Sequence, residues 1–115
     1  MNNPKRPKNT HAHYHAHIYF EEQTLLFAIN LSEKIAQQFP LIVGRIHQKL
    51  VGPHTKWSFQ VLFDHLAFDE FIAWLALNRG DLSVLVHAQT GDDLLDHTEH
   101  ACWLGDSVAI DTSRF

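Results

Sequence analysis

Apolar and polar residues alternate along His15-Ala16-His17-Ile18-Tyr19-Phe20. That period of two predicts a strand with His15, His17 and Tyr19 on one face and Ala16, Ile18 and Phe20 on the other. Over residues 21–39 the period lengthens: Leu25, Ala28, Ile29, Ile35, Ala36 and Phe39 are apolar, with Glu33, Lys34 and Gln37 between them. This is an amphipathic helix, ended by Pro40. Leu41 to Val51 is rich in strand formers, Gly52-Pro53 interrupts it, and Lys56 to Phe63 places Trp57, Phe59, Val61 and Phe63 on one side. A two-stranded hairpin follows from that pattern. Phe68, Phe71, Ile72 and Leu75 recur at helical spacing and Asn78-Arg79-Gly80 supplies a stop, so a second helix covers residues 68–78. Leu82 to His87 is a fourth strand. Residues 1–13, polar and containing Lys and Pro, read as a disordered arm before a single domain of residues 14–115.

The order β-α-β-β-α-β predicts an α+β, ferredoxin-like fold, a four-stranded antiparallel sheet of order 4-1-3-2 with both helices on one face. Parity then sorts the strands. Ala16, Ile18, Phe20, Ile42, Ile46, Trp57, Phe59, Val61, Phe63, Leu82, Val84 and Val86 point at the helices. The other face receives His15, His17, Tyr19, Arg45, His47, Lys49, Ser58, Gln60, Leu62, Ser83, Leu85 and His87. Contact with water accounts for Arg45, Lys49 and Gln60; it accounts poorly for four histidines and a tyrosine.

Composition narrows the class. At 115 residues, 45% apolar and 19% charged, the chain is a single globular domain with a modest core, and no apolar run is long enough to span a bilayer. A formal charge of -4 and a pI near 6.2 argue against nucleic acid as a partner. Cys102 stands alone between Ala101 and Trp103, which excludes an internal disulfide and suits a small buried hydrophobe. With no signal-like apolar segment at the start, the expected location is cytoplasmic. Leu62 and Leu85 among the polar residues of the open face predict a homodimer covering that face.

The fourth strand lies antiparallel to the first, so His87 adjoins His15 and His17, and three imidazoles can converge on one ion with other coordination positions left open. His54, after the Gly52-Pro53 turn, lies toward the far end of the first strand, which favours a role beside the metal rather than on it. His47 is two strands away and reads as an exposed sheet residue. In the segment 89–100, Asp96 can orient an imidazole and His97 can donate a proton near neutral pH; a solvated loop is the alternative.

His15-Ala16-His17-Ile18-Tyr19-Phe20, Gly52-Pro53-His54, Leu85-Val86-His87 and Asp96-His97-Thr98, followed by Trp103-Leu104-Gly105, together resemble the DOPA 4,5-dioxygenase family. The resemblance implies a ferredoxin-like dimer that uses non-haem Fe(II) and O₂ to open a catechol ring beside one hydroxyl. It also implies functional roles for His15, His17, His54 and His87, with His97 as a further candidate. Ala88 stands after His87, where proline is common in such proteins.

Combining both lines, His15, His17 and His87 are expected to bind the metal, and His54 and His97 to act as base and acid. Tyr19, Arg45, His47 and Lys49 are candidate contacts for the substrate, DOPA or a related carboxylated catechol. The metal expected is Fe(II), with zinc or nickel possible as purified. The alternative is a non-catalytic dimeric module that binds a metal or small ligand.

Overall fold

A computed structural model describes residues 4–115. Its elements are β1 (His13–Phe20), α1 (Leu25–Gln38), β2 (Ile42–Val43), β3 (Trp57–Asp64), α2 (Phe68–Asn78), β4 (Val84–Ala88), α3 (Asp93–Asp96) and β5 (Ala101–Leu104). The sheet is five-stranded, in the order β2-β3-β1-β4-β5, with every neighbour antiparallel. The expected 4-1-3-2 order is therefore present and is extended by one strand. In β5, Cys102 and Leu104 pair with Val86 and Val84 on the helix side, while Trp103 pairs with Leu85 on the other. The run Ala101-Cys102-Trp103-Leu104 carries the alternation of a strand, but it is only four residues long.

Both helices pack on one face. Ala28, Leu31 and Ile35 of α1 and Phe68, Phe71 and Leu75 of α2 share a core with Ala16, Ile18, Phe59, Val61, Val84 and Val86. α1 ends as expected: the Phe39 amide donates to the Ile35 carbonyl, and Pro40 can donate no further bond. α2 ends at Gly80, whose φ of +60° suits a residue without Cβ; a Cβ there would meet the Phe27 ring at 2.7 Å.

Three expectations are corrected. First, the strand expected over 41–51 is reduced to Ile42–Val43. Ile42 pairs with Leu62 and Val43 with Val61, yet His47 pairs with Ser58, so three residues on one side face two on the other. That bulge inverts parity: Ile42 lies on the open face, 67% exposed, while Ile46 packs on the core as expected. Second, the sheet has five strands rather than four. Third, within the expected arm of residues 1–13, residues 4–13 are docked. The Trp103 amide donates to the Lys5 carbonyl (2.7 Å), Arg6 donates to the carbonyls of Trp103 and Gly105, and His13 already belongs to β1. The Tyr14 hydroxyl accepts the amides of Thr10 and His11, each at 2.7 Å, which holds this segment to the sheet. Residues 1–3 lie outside the described residues.

Candidate metal centre

Strand register brings the histidines together. His15 pairs with His87 across β1 and β4, and His17 lies two residues along the same face. One ring nitrogen from each of His15, His17 and His87 lies within 4.8 Å of the other two, and the same holds for His17, His54 and His97. The two triads share His17, so five imidazoles form one cluster, with ring centroids 4.2 Å apart for His17–His54 and for His87–His97.

Although the turn was expected to hold His54 toward the far end of the first strand, a loop excursion brings its ring beside His17. Its amide closes a turn onto the Val51 carbonyl (3.1 Å), with Gly52 at φ +55° and Pro53 at the two central positions. The segment after β5 clamps that turn from outside. The Asp111 amide donates to the Pro53 carbonyl (2.8 Å), the Thr55 hydroxyl donates to the Ala109 carbonyl (2.6 Å), and His54 and Ile110 form a β-bridge. Val108 and Ile110 pack with Tyr19, Leu85 and Trp103, so the chain itself covers part of the face that was expected to need a partner.

Hydrogen bonds fix the tautomers. His87 Nδ1 lies 2.8 Å from the Ala88 carbonyl and His97 Nδ1 lies 2.7 Å from the Asp93 carbonyl. A carbonyl only accepts, so Nδ1 carries a proton in both rings, and whenever the ring is neutral its Nε2 keeps a lone pair. His54 Nδ1 lies 2.7 Å from the Tyr19 hydroxyl. Burial raises the Tyr19 pKa, which keeps the phenol protonated.

The donor set fits a cation. His15 Nε2 is buried without a hydrogen-bond partner among the described residues, an arrangement that costs about 1–3 kcal/mol if nothing relieves it. His17 Nε2 and His87 Nε2 are 2.9 Å apart. Two imidazoles bound side by side on a six-coordinate ion, with bonds near 2.1 Å, would be separated by ~3.0 Å. Asp96, expected to orient an imidazole, instead accepts the Thr90 amide (2.8 Å) and hydroxyl (2.7 Å), leaving an all-imidazole donor set.

Burial also keeps the rings neutral, the form a metal requires. It depresses His17 well below the ordinary histidine range, His87 to about 3 and His54 to about 4, with further lowering of each from neighbouring imidazoles. His15 is lowered for the same first reason, with the Gln89 side chain opposing. Such depressed values have a direct consequence for stability. Below about pH 6.5 the unfolded chain takes up protons that folded His54 and His87 refuse, so stability falls with pH until about 4 and about 3. For each of these two, the loss between pH 6.5 and 5 is about 2 kcal/mol. The urea midpoint of the metal-free chain should therefore drop over this range, and less so in His87→Gln; equal slopes would contradict it.

Not every candidate residue joins the cluster. No hydrogen bond or ring contact among the described residues links Arg45, His47 or Lys49 to it. Arg45 and Lys49 are exposed, and His47 pairs with Ser58 two strands from β1. Tyr19, expected to touch substrate, is 2% exposed, and its hydroxyl is hydrogen-bonded to His54 Nδ1. Phe115, which sequence reasoning did not single out, packs against His97 with ring centroids 4.8 Å apart and planes tilted by 32°. Nothing local in the sequence signals that contact.

The family model described as the Dopa 4,5-dioxygenase family matches residues 14–114. The chain belongs to this family. Among curated relatives, a DOPA 4,5-dioxygenase of Amanita muscaria is 29% identical over 110 residues, covering 88% of this chain and 48% of that protein. An uncharacterised 21.2 kDa protein of Botryotinia fuckeliana is 39% identical over 112 residues, covering 87% of this chain and 61% of that one. The chain thus spans about half to three fifths of the curated relatives it matches. A crystal structure of a candidate dioxygenase from Nostoc punctiforme is 38% identical, with a TM-score of 0.86 and 90% coverage of each chain.

Proposed function

We propose that the protein is a metal-dependent dioxygenase that opens a catechol ring beside one hydroxyl. The observation that carries this reading is the five-histidine cluster, in which His17, His54 and His87 are buried and held neutral and His15 Nε2 has no hydrogen-bond partner among the described residues. Family membership gives the reaction class, and the name of the Amanita muscaria relative points to DOPA, or a related carboxylated catechol such as caffeate, as substrate.

His15, His17 and His87 would hold Fe(II). Bound iron would supply open positions at which two catechol oxygens and O₂ are held together. The chain supplies the rest. His54 stands beside His17 with its far nitrogen fixed by Tyr19. When the phenol donates to Nδ1, His54 presents an Nε2–H; when Nδ1 donates to the phenol, it presents a lone pair. One ring can thus remove a catechol proton and later return one. His97, with Nδ1 held by the Asp93 carbonyl, presents Nε2 as the second proton-handling group. The clamp of residues 108–111 limits water at the cluster. Electrons balance without an external reductant: one ring C–C bond breaks, both oxygen atoms enter the product, and an aldehyde and a carboxylate appear.

The test is to load the protein anaerobically with Fe(II), add DOPA or caffeate, admit oxygen, and follow oxygen consumption and near-visible absorbance. A yellow semialdehyde formed with one O₂ per catechol is expected. No oxygen uptake at confirmed iron occupancy would defeat the dioxygenase reading and favour a metal- or ligand-binding module. Zinc-loaded protein should be inactive, because Zn²⁺ has no redox chemistry to offer O₂.

A homodimer belongs to the same proposal. Ile42, exposed by the bulge, pairs with Leu62, which in turn pairs with His15, so an apolar strip borders the cluster on the sheet's open face. A second copy would cover it. Sedimentation at micromolar concentration should give a dimer, and Ile42→Glu should shift it to monomer; a wild-type monomer would contradict the proposal.

A further inference from the structure

β5 extends the sheet beside β4, and a cavity of about 430 Å³ lies on its helix side, across the sheet from the histidine cluster. Its floor is apolar. Tyr14 and Phe68, 4.9 Å apart between ring centroids, meet Val86, Ala88 and Cys102 there. Burial raises the Cys102 thiol, so it too presents a neutral surface. The docked segment 4–11 forms the outer wall and changes the chemistry. Lys5, Arg6 and Lys8 all line the cavity, on a chain whose formal charge is -4.

The one acid in the lining is already engaged. Lys5 Nζ donates to the Glu99 carbonyl at 2.8 Å and stands 4.0 Å from its carboxylate. Arg6 serves the carbonyls of Trp103 and Gly105, and neither Arg6 nor Lys8 has a carboxylate partner among the described residues. The Tyr14 hydroxyl accepts two amides and donates to the Lys8 carbonyl (3.3 Å), so it offers a ligand little. At the mouth the His11 and His100 rings lie 4.5 Å apart. A flat apolar floor beneath a cationic rim selects a ligand with an apolar body and one negative end.

We propose that this cavity is a second binding site, distinct from the metal centre, for a small amphiphilic monocarboxylate with an aromatic body. The body lies on Phe68, Val86 and Cys102, and the carboxylate meets Lys8 at the rim. A neutral or cationic analogue with the same body lacks the second interaction and binds more weakly.

The probe is 3-phenylpropionate, compared with 3-phenylpropan-1-ol and 3-phenylpropylamine, titrated into the ¹⁵N-labelled full chain and followed by amide shifts. Saturating shifts at Val86, Ala88, His100 and Cys102 are expected for the acid, about tenfold weaker binding for the alcohol, and weaker still for the amine. Lys8→Glu should weaken the acid by about tenfold and leave the alcohol unchanged. Cys102→Trp should fill the floor and abolish both; Lys8→Glu remains a test if that variant does not fold. Equal binding of acid and alcohol, shifts centred on His15, His17 and His87, or no saturation by about 10 mM would overturn the proposal.

Discussion

Replacing His17 with alanine is expected to abolish stoichiometric metal binding while the fold survives. His17 is the histidine shared by both possible triads, so no alternative set of three remains among the described residues without it. Loss of a partner that merely hydrogen-bonds a metal ligand weakens binding 10–100-fold, so loss of the shared ligand should exceed about a hundredfold. His87→Ala should behave similarly if His15, His17 and His87 hold the metal, whereas His47→Ala, which alters a residue two strands away, should retain it. The measurement is metal content per chain after dialysis, with far-ultraviolet circular dichroism as the check on folding. Full occupancy in both His17→Ala and His87→Ala would rule this site out.

His54→Ala is expected to keep its metal and lose turnover by about 10²–10⁴, the range for removing a general acid or base. His54 is 8% exposed, bonded to Tyr19 and positioned by a turn that its own residues do not stabilise alone. Tyr19→Phe should retain metal and part of the turnover, with an altered pH profile, because the ring stays in place while its Nδ1 proton is no longer fixed. Iron content and steady-state rate must be measured on the same samples. If His54→Ala loses its metal, His54 is a ligand and the second triad, with His17 and His97, is the metal site.

Periodicity made most of this architecture legible. Residues 68–78 were readable as α2 because apolar spacing and a glycine stop agree, and β1 was readable because both of its faces have distinct chemistry. The convergence of His15, His17 and His87 followed from topology alone, since β1 and β4 must run antiparallel side by side. What escaped was decided by contacts distant in sequence. The bulge after Val43 turns on pairing with β3, and a strand pattern cannot announce the extra residue. Likewise the arrival of His54 depends on Ala109, Ile110 and Asp111, more than fifty residues downstream. Asp96 looked available to an imidazole because its sequence neighbours are histidines; in the fold, Thr90 takes both its oxygens.

The docking of residues 4–6 against β5 also governs how the protein can associate. An open sheet has two rims of unpaired amides and carbonyls, and each can recruit a strand from another chain. Here the outer rim of β5 is met by the chain's own Lys5 and Arg6. The opposite rim belongs to β2, two residues long and bent away by its bulge. Neither rim offers a straight template, so two copies have little to gain from joining their sheets end to end into a longer ribbon. The proposed pairing would use a face instead, where it closes after one partner and does not propagate into fibres.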